Sequence, residues 1–154
     1  MKYIHLDNNE VALVDDEDYD FVSSFNKWHI NSVGYLATSK MINYDRTFYT
    51  MHRIIMERLL GEAIPEGLVI DHKNRNKLDN RRENLRLATY SQNNINSKIP
   101  ENNTSGHKGI GFHKKRNQWR ARIGKCHLGW FETIEEAIEA RKLAERIFYS
   151  EFTE

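Results

Sequence analysis

Residues 68–94 read LVIDHKNRNKLDNRRENLRLATYSQNN, and their pattern predicts the fold of the middle of the chain. The apolar run Leu68–Ile70 predicts a short strand that carries Asp71 and His72 at its end. A polar loop follows, and Leu85–Ala88 predicts a second strand. The predicted order is strand, loop and strand, with an acid and a histidine where the first strand ends.

A helix is predicted on each side of these two strands. After them, Thr89 and Gln92 match the capping box that begins a helix, and this helix should include Asn93. Before them, apolar residues from Met51 onward recur at helical spacing, and the pattern stops at Gly61, a residue type that commonly ends helices. The middle of the chain therefore reads as helix, strand, loop, strand and helix.

The first fifty residues alternate short apolar runs with polar breaks, which is typical of short antiparallel strands. A helical face interrupts them within residues 16–25. Because aromatic residues in half-buried strands usually pack, core positions are expected for Trp28, Tyr35 and Phe48. This part of the chain is predicted to be β-rich.

The last part of the chain predicts three short strands and a helix. The strands fall at residues 109–112, 119–123 and 125–131, and the helix begins with the Thr-x-x-Glu box of Thr133 and Glu136. We expect a three-stranded antiparallel sheet packed on one helix over residues 108–154, separated by a polar linker at 96–107 from a first part at 1–95. The predicted fold class is α+β.

Length and composition exclude several classes of protein. The 154 residues, 39% of them hydrophobic, suit one ordinary domain or two small ones. A single cysteine, Cys126, excludes an internal disulfide and a zinc site built from cysteine pairs. No window is apolar enough to span a membrane and the first residues lack an apolar signal core, so a cytoplasmic protein is expected.

Positive charge is concentrated in one segment although the whole chain is nearly neutral. Lys and Arg total 23 against 22 Asp and Glu, yet seven Lys/Arg and no acid lie between Ser105 and Phe131. A basic block with interleaved aromatic and histidine residues is expected of a phosphate-binding surface. A solvated charged face is the alternative, and the block by itself leaves both open.

The Asp-His pair and the asparagines that follow it suit phosphodiester hydrolysis, which needs a base to activate water and a cation to take up charge on the phosphate and leaving oxygen. His72 is the candidate base. The carboxylate of Asp71 and the amide oxygen of Asn93 are hard ligands of the kind that Mg²⁺ prefers. Neighbouring strand residues point to opposite faces, so Asp71 and His72 meet one ligand only at a kink or strand end. By itself, the pair is weak evidence, because an Asp-His dipeptide is more commonly an ordinary surface pair.

The string Asp71-His72, Asn84-Leu85-Arg86 and Asn93 resembles the HNH signature of phage and intron-encoded endonucleases, over about residues 52–95. The resemblance implies a ββα-metal fold in which Asp71 and Asn93 hold one Mg²⁺ or Mn²⁺ per active site and His72 is the general base. It also implies that Asn84 fixes the loop and orients His72.

Asn93, His52 and Asn80 also have expected roles in this segment. The third letter of the signature is often a histidine ligand, and the asparagine that stands here as Asn93 disfavours a soft transition metal. His52 precedes the motif at a helix start and is interpreted as structural rather than catalytic. Asn80 is interpreted as a loop residue with a supporting role.

The C-terminal part has a resemblance of its own. Lys108-Gly109-Ile110, residues 119–123 and the Leu128-Gly129-Trp130-Phe131 run are similar to the Apetala-two/ethylene-response-factor DNA-binding domain, over about residues 105–150. That family places its sheet in the major groove. Alternation along the strand directs alternate residues toward DNA. The residues expected to bind DNA are Lys108, Lys114, Gln118, Arg120, Arg122, Lys125 and His127.

These observations predict a metal-dependent HNH endonuclease that acts on double-stranded DNA. One catalytic centre per chain and the absence of a heptad pattern predict a monomer that nicks one strand, without an obligate protein partner. The expected place of action is the cytoplasm, that of a bacterial host if the protein is phage-encoded. One alternative is a sequence-specific DNA-binding regulator with a vestigial nuclease motif. Another, an RNA nuclease, is disfavoured because the sheet resembles readers of duplex DNA.

Overall fold

The computed structural model describes residues 1–25, 27–97 and 99–148, and the chain forms two compact units, Met1–Tyr90 and Ser91–Glu154. The described residues form small antiparallel sheets and four α-helices. The mixed α and β composition expected from the sequence is confirmed. The predicted division at 95, 107 and 108 stays a prediction, and two parts of it, Lys98 and residues 149–154, lie outside the described residues.

The first half of the N-terminal unit consists of a hairpin, a helix and a small sheet. The hairpin pairs β1 with β2, and the sheet has the order β3–β4–β5. The elements are β1 (Lys2–His5), β2 (Val11–Val14), α1 (Asp16–Ser23), β3 (His29–Ile30), β4 (Leu36–Ile42) and β5 (Asp45–Thr50). The β-rich character predicted for this region is therefore present.

The middle of the chain follows the order that its sequence predicts. The elements are α2 (Met51–Leu60), β6 (Leu68–His72), a single 3₁₀ turn (Arg82–Asn84), β7 (Leu85–Thr89) and α3 (Tyr90–Asn96). Gly61 ends α2 in the left-handed conformation, at φ 74°, which a residue without a Cβ adopts at low cost. β6 and β7 are antiparallel and pair Asp71 with Arg86.

The core of the N-terminal unit lies between its sheets and α2. Leu36, Met51 and Ile55 are fully buried there, and Trp28 is buried as expected. The expected core position of Phe48 is wrong, because 72% of its surface is exposed. Successive residues of β5 face opposite sides, and its neighbour Tyr49 is the one that packs against the core.

The C-terminal unit contains three strands and a long helix. They are β8 (Ile110–His113), β9 (Gln118–Ile123), β10 (Cys126–Phe131) and α4 (Ile134–Phe148), with β9 in the middle of the sheet. The predicted capping box is present, since the backbone N–H of Glu136 donates to Oγ1 of Thr133 at 3.2 Å and the N–H of Thr133 donates back to Oε2 of Glu136 at 3.3 Å.

A small apolar core joins this sheet to α4. Ala121 and Ile123 of β9 are buried, as is Ala137 of α4. Gly109 precedes β8 at φ 70°, and a Cβ there would collide with the carbonyl oxygen of Arg122 and the guanidinium of Arg141, so only glycine fits. Within the described ranges, no helix is both long enough and apolar enough to cross a bilayer.

Candidate active site

Asp71 and His72 occupy the last two positions of β6, and both are buried. Their side chains have different partners. Oδ2 of Asp71 accepts a hydrogen bond from Nε of Arg86 at 2.8 Å, whereas the ring of His72 contacts Asn80. The end of the strand therefore carries a carboxylate and an imidazole on consecutive residues, each with a specific polar contact.

Asn80 favours one tautomer of His72. Nε2 of His72 lies 3.4 Å from Oδ1 of Asn80, and Nδ2 of Asn80 donates to the carbonyl oxygen of Lys77 at 3.3 Å. Because the amide nitrogen of Asn80 serves that carbonyl, its oxygen faces the ring, and a neutral His72 then carries its proton on Nε2. The lone pair of this tautomer is on Nδ1.

The surroundings of His72 keep its ring uncharged. Burial lowers the pKa of His72, and the hydrogen bond with Asn80 and the negative charges of Asp71 and Asp79 oppose this only in part. The charge of Lys77 adds to the lowering. The ring is therefore neutral at pH 7, which is the form that accepts a proton.

Tyr35 and His52 form the aromatic surroundings of His72. Ring centroids are 5.4 Å apart for His52 and His72, 4.6 Å for Tyr35 and His52, and 6.0 Å for Tyr35 and His72. Burial, followed by the neighbouring His72, lowers the pKa of His52 to about 3, so this ring is also neutral. The structural role expected for His52 stays a prediction. The sequence suggested only a core position for Tyr35, because nothing local connects the residue before β4 with β6.

Asn84 holds the loop between β6 and β7. Its Oδ1 accepts the backbone N–H of Asn74 at 3.0 Å, and its Nδ2 donates to the carbonyl oxygen of Asp79 at 2.7 Å. These bonds agree with the loop-fixing part of its predicted role. Its predicted role in orienting His72 stays a prediction, while Asn80, to which the sequence assigned a supporting place, makes the side-chain contact with the ring.

The same loop is fastened to the first hairpin and to itself. The N–H of Asn80 donates to the carbonyl oxygen of Leu13, and the N–H of Leu13 donates to that of Leu78, both at 2.8 Å. Nε and Nη2 of Arg81 each donate to the carboxylate of Asp79 at 2.8 Å. Hydrogen bonding to Arg81 is the main cause that lowers the pKa of Asp79. Asn80 is therefore held on a loop with little freedom to shift.

The predicted metal ligands fit a hard cation by their chemistry. A buried carboxylate at Asp71 and an amide oxygen at Asn93 are the oxygen donors that Mg²⁺ or Mn²⁺ accepts. Asn93 lies on α3 in the C-terminal unit, and its role stays a prediction. In the part of the chain that the structure describes, no three His, Cys, Asp or Glu side chains converge on one point.

A comparison with protein families identifies this segment. The model described as HNH endonuclease matches residues 49–95, the range that contains α2, the two strands and α3 as far as residue 95. The resemblance to HNH endonucleases that the sequence suggested for this segment is therefore confirmed as a family match over these residues.

Two viral proteins share sequence with the chain. It is 45% identical over 67 residues to Protein 3.8 of Escherichia phage T7, covering 42% of this chain and 55% of that protein. It is 34% identical over 91 residues to an uncharacterised HNH endonuclease of Acanthamoeba polyphaga mimivirus, covering 59% of this chain and 46% of the relative. The chain therefore spans about half the length of these relatives.

The chain is also similar to a solved structure. It matches a structure described as DNA binding and cleavage by the HNH homing endonuclease I-HmuI, and the match covers 62% of this chain and 57% of that chain. The TM-score is 0.39 and the sequence identity is 23%.

Outside the HNH domain, the C-terminal sheet gathers most of the predicted DNA-binding residues on one face. Arg120 and Arg122 of β9 are exposed, and they line a shallow depression together with Lys125, His127 and Trp130. Nearby, the guanidinium of Arg116 lies 4.9 Å from the ring centroid of Trp130. The alternation predicted for β9 is present, since Ala121 and Ile123 are buried between these arginines.

The other three predicted DNA-binding residues lie elsewhere in this unit. Lys114 is exposed in the turn between β8 and β9. Gln118 lines a different depression beside acidic residues of the α4 region, including Glu136 and Glu139. Nζ of Lys108 donates to the carbonyl oxygens of Asn94 and Ile95 at 3.0 Å, so this lysine caps the end of α3. Contacts of all three with DNA stay predictions.

Proposed function

We propose that the chain is a divalent-metal-dependent endonuclease that cuts double-stranded DNA, with His72 as general base. The observation that carries the proposal is the buried, neutral His72 ring beside the carboxylate of Asp71 within an HNH domain. A histidine must be unprotonated, and therefore neutral, before it can take a proton, and the surroundings of His72 favour that state at pH 7.

In the proposed reaction, Nδ1 of His72 takes a proton from a water molecule, and the water oxygen attacks the phosphorus. The contact with Asn80 supports Nδ1 as the accepting atom, because it favours the proton on Nε2. A divalent cation held by Asp71 and Asn93 would supply positive charge for the leaving 3′ oxygen and the pentavalent phosphate. The bond from phosphorus to the 3′ oxygen breaks, and the 3′ oxygen takes a proton from solvent water, which leaves a 5′ phosphate and a 3′ hydroxyl.

The exposed basic face of the C-terminal sheet is proposed to bind duplex DNA, in agreement with the Apetala-two-like resemblance. Arg120, Arg122 and Lys125 place three positive charges around one depression, as expected for contacts with phosphates. A DNA-binding regulator with a vestigial nuclease motif would use the same face. The presence of Asp71, His72, Asn84 and Asn93 favours the enzyme.

We further propose that the chain acts as a monomer and nicks one strand first. One candidate centre per chain faces one phosphate at a time, and the antiparallel strand requires a second centre or a second orientation. The two units are linked in one chain, and if both contact DNA, a monomer has more surface for binding DNA than one unit has alone.

Plasmid cleavage tests this function. Supercoiled plasmids carrying fragments of the source genome are incubated with protein and Mg²⁺, and new ends are mapped by sequencing. We expect open-circular DNA as the first product and early cuts on one strand. His72→Ala should slow cleavage by about two to four orders of magnitude while DNA affinity is retained. Chelation should stop cleavage and leave the DNA complex.

Three outcomes would contradict the proposal. Cleavage by His72→Ala at the wild-type rate would remove His72 from the role of base. Cleavage that persists in chelator would exclude a required divalent cation. Direct conversion to linear DNA, with a second-order dependence on protein concentration, would indicate a dimer.

A further inference from the structure

Arg86 is attached to the carboxylate that the proposed function assigns to the metal. Its Nε donates to Oδ2 of Asp71 at 2.8 Å, and the two side chains are 19% and 5% exposed. The two residues face each other in the register of β6 and β7. The pairing of β6 with β7 therefore holds the guanidinium of Arg86 near the carboxylate of Asp71.

This contact restricts the orientation of the carboxylate. A carboxylate on a short side chain presents either oxygen as its terminal torsion turns, and that torsion has only broad preferences. A charge-assisted hydrogen bond to one oxygen selects one orientation. Metal-binding carboxylates in proteins commonly receive such a bond from a neighbouring group, and removal of the neighbour weakens metal binding.

The positive charge of Arg86 acts in the opposite direction, because a guanidinium repels a divalent cation. Two observations favour orientation as the larger effect. The donor to Oδ2 of Asp71 is Nε, the guanidinium nitrogen bonded to the aliphatic stem, so the place of the contact follows from the placement of that stem. In addition, the cross-strand register keeps Arg86 at the carboxylate, so removing it would leave a buried Asp71 short of a charged partner.

We propose that Arg86 is a positioning residue of the metal site, whose Nε–H holds Oδ2 of Asp71 and thereby fixes the orientation in which the carboxylate meets a divalent cation. The inference rests on the proposed function, because it takes Asp71 as a metal ligand. Arg86 lies within the HNH signature, but the sequence alone assigned it no role.

Binding of Mn²⁺ to DNA-free protein tests the role, with free Mn²⁺ measured by electron paramagnetic resonance. Arg86→Met keeps an aliphatic stem and removes the donor and the charge, and it should weaken Mn²⁺ binding by about 10- to 100-fold. Arg86→Lys keeps a charged donor but moves it from the Nε position, so its affinity should lie between those of Arg86→Met and the wild type. If Arg86→Met does not fold, a reduced affinity in Arg86→Lys carries the test.

The matched control is Arg53→Met. Arg53 lies in the same unit, is 57% exposed and pairs with Glu57, so this change removes the same charge without altering the carboxylate contact. Its Mn²⁺ affinity should equal that of the wild type. In plasmid cleavage, the rate of Arg86→Met should recover toward the wild-type rate as Mn²⁺ is raised, because the change acts on metal binding.

The outcomes separate this inference from the proposed function. Mn²⁺ binding that Asp71→Ala leaves unchanged overturns the proposed metal site and the inference together. Binding that depends on Asp71 but is as tight or tighter in Arg86→Met, or in Arg86→Lys where that variant alone folds, overturns the inference and leaves the metal site standing. Equally weakened binding in Arg53→Met and Arg86→Met would also overturn it, because the loss would then not depend on the contact between Arg86 and Asp71.

Discussion

His72 shows how single contacts convert a common side chain into a candidate base. An exposed histidine is partly charged near neutral pH, whereas burial lowers the pKa of this ring and Asn80 favours the proton on Nε2. Asn80 is itself held by the backbone of Leu13 and Lys77. Burial and contacts from outside the Asp-His pair therefore contribute to the protonation state of this candidate base.

Replacement of Asn80 tests this arrangement. Asn80→Ala removes the acceptor at Nε2 and leaves the ring of His72 less restrained, so cleavage should slow by about one order of magnitude, less than in His72→Ala, where the base itself is missing. Single-turnover cleavage rates measure the effect. Asn76→Ala is the control, because Asn76 lies in the same loop and its side chain accepts from the N–H of Leu78. Equal rates for the two variants would remove Asn80 from the positioning of His72.

Among the elements, α1 and the turn before β7 are joined by a buried ion pair. Asp18 of α1 is 0% exposed and accepts from Nε and Nη2 of Arg82 at 2.6 and 2.8 Å. Arg58 of α2 approaches the same carboxylate at 3.4 Å. Since Arg82 begins the turn that leads into β7, this pair fixes one end of the loop that carries Asn80.

Asp18→Ala should lower the free energy of unfolding by about 1.5 to 3 kcal/mol, because it removes the buried acceptor of Arg82 while Arg82 keeps its ion pair with exposed Glu17. Urea-induced unfolding followed by circular dichroism measures the change. Asp7→Ala is the control, since Asp7 pairs with Lys27 and is 77% exposed, and its replacement should cost less than about 1 kcal/mol. A destabilisation as small for Asp18→Ala as for Asp7→Ala would show that the buried pair adds little to stability.

For the whole molecule, the proposed chemistry and the proposed DNA-binding face belong to different units. Asp71 and His72 lie in the N-terminal unit, and Arg120 and Arg122 lie in the C-terminal unit. Variants of the sheet should therefore change DNA affinity without altering the residues that carry out hydrolysis.

Combined replacement of Arg120 and Arg122 by alanine should weaken DNA binding. The slope of the logarithm of the binding constant against the logarithm of the salt concentration should become shallower by about 2, roughly one for each arginine that no longer meets a phosphate. Fluorescence anisotropy with a labelled duplex at several salt concentrations measures both quantities. Lys142→Ala combined with Arg146→Ala removes the same charge from exposed positions of α4 and is the control. An unchanged salt slope in the sheet variant would assign the basic face to another task.

Patterns of neighbouring residues in the sequence predict the helices and strands and their order. Apolar spacing and Gly61 predicted α2, the run before Asp71 predicted β6, and the box of Thr133 and Glu136 predicted the start of α4. Each of these signals lies within a few residues, because helix ends and strand alternation depend on neighbours in the chain.

The contacts between side chains of separate elements depend on the tertiary structure. Tyr49 and Phe48 are adjacent aromatics, and the placement of β5 in its sheet puts the first inside and the second outside. The contacts of His72 with Tyr35 and Asn80 join separate elements, and no local pattern encodes such a contact. Burial and charge at the candidate site arise from these long-range contacts, so the sequence indicated the chemistry of His72 whereas the fold set its protonation state and its partners.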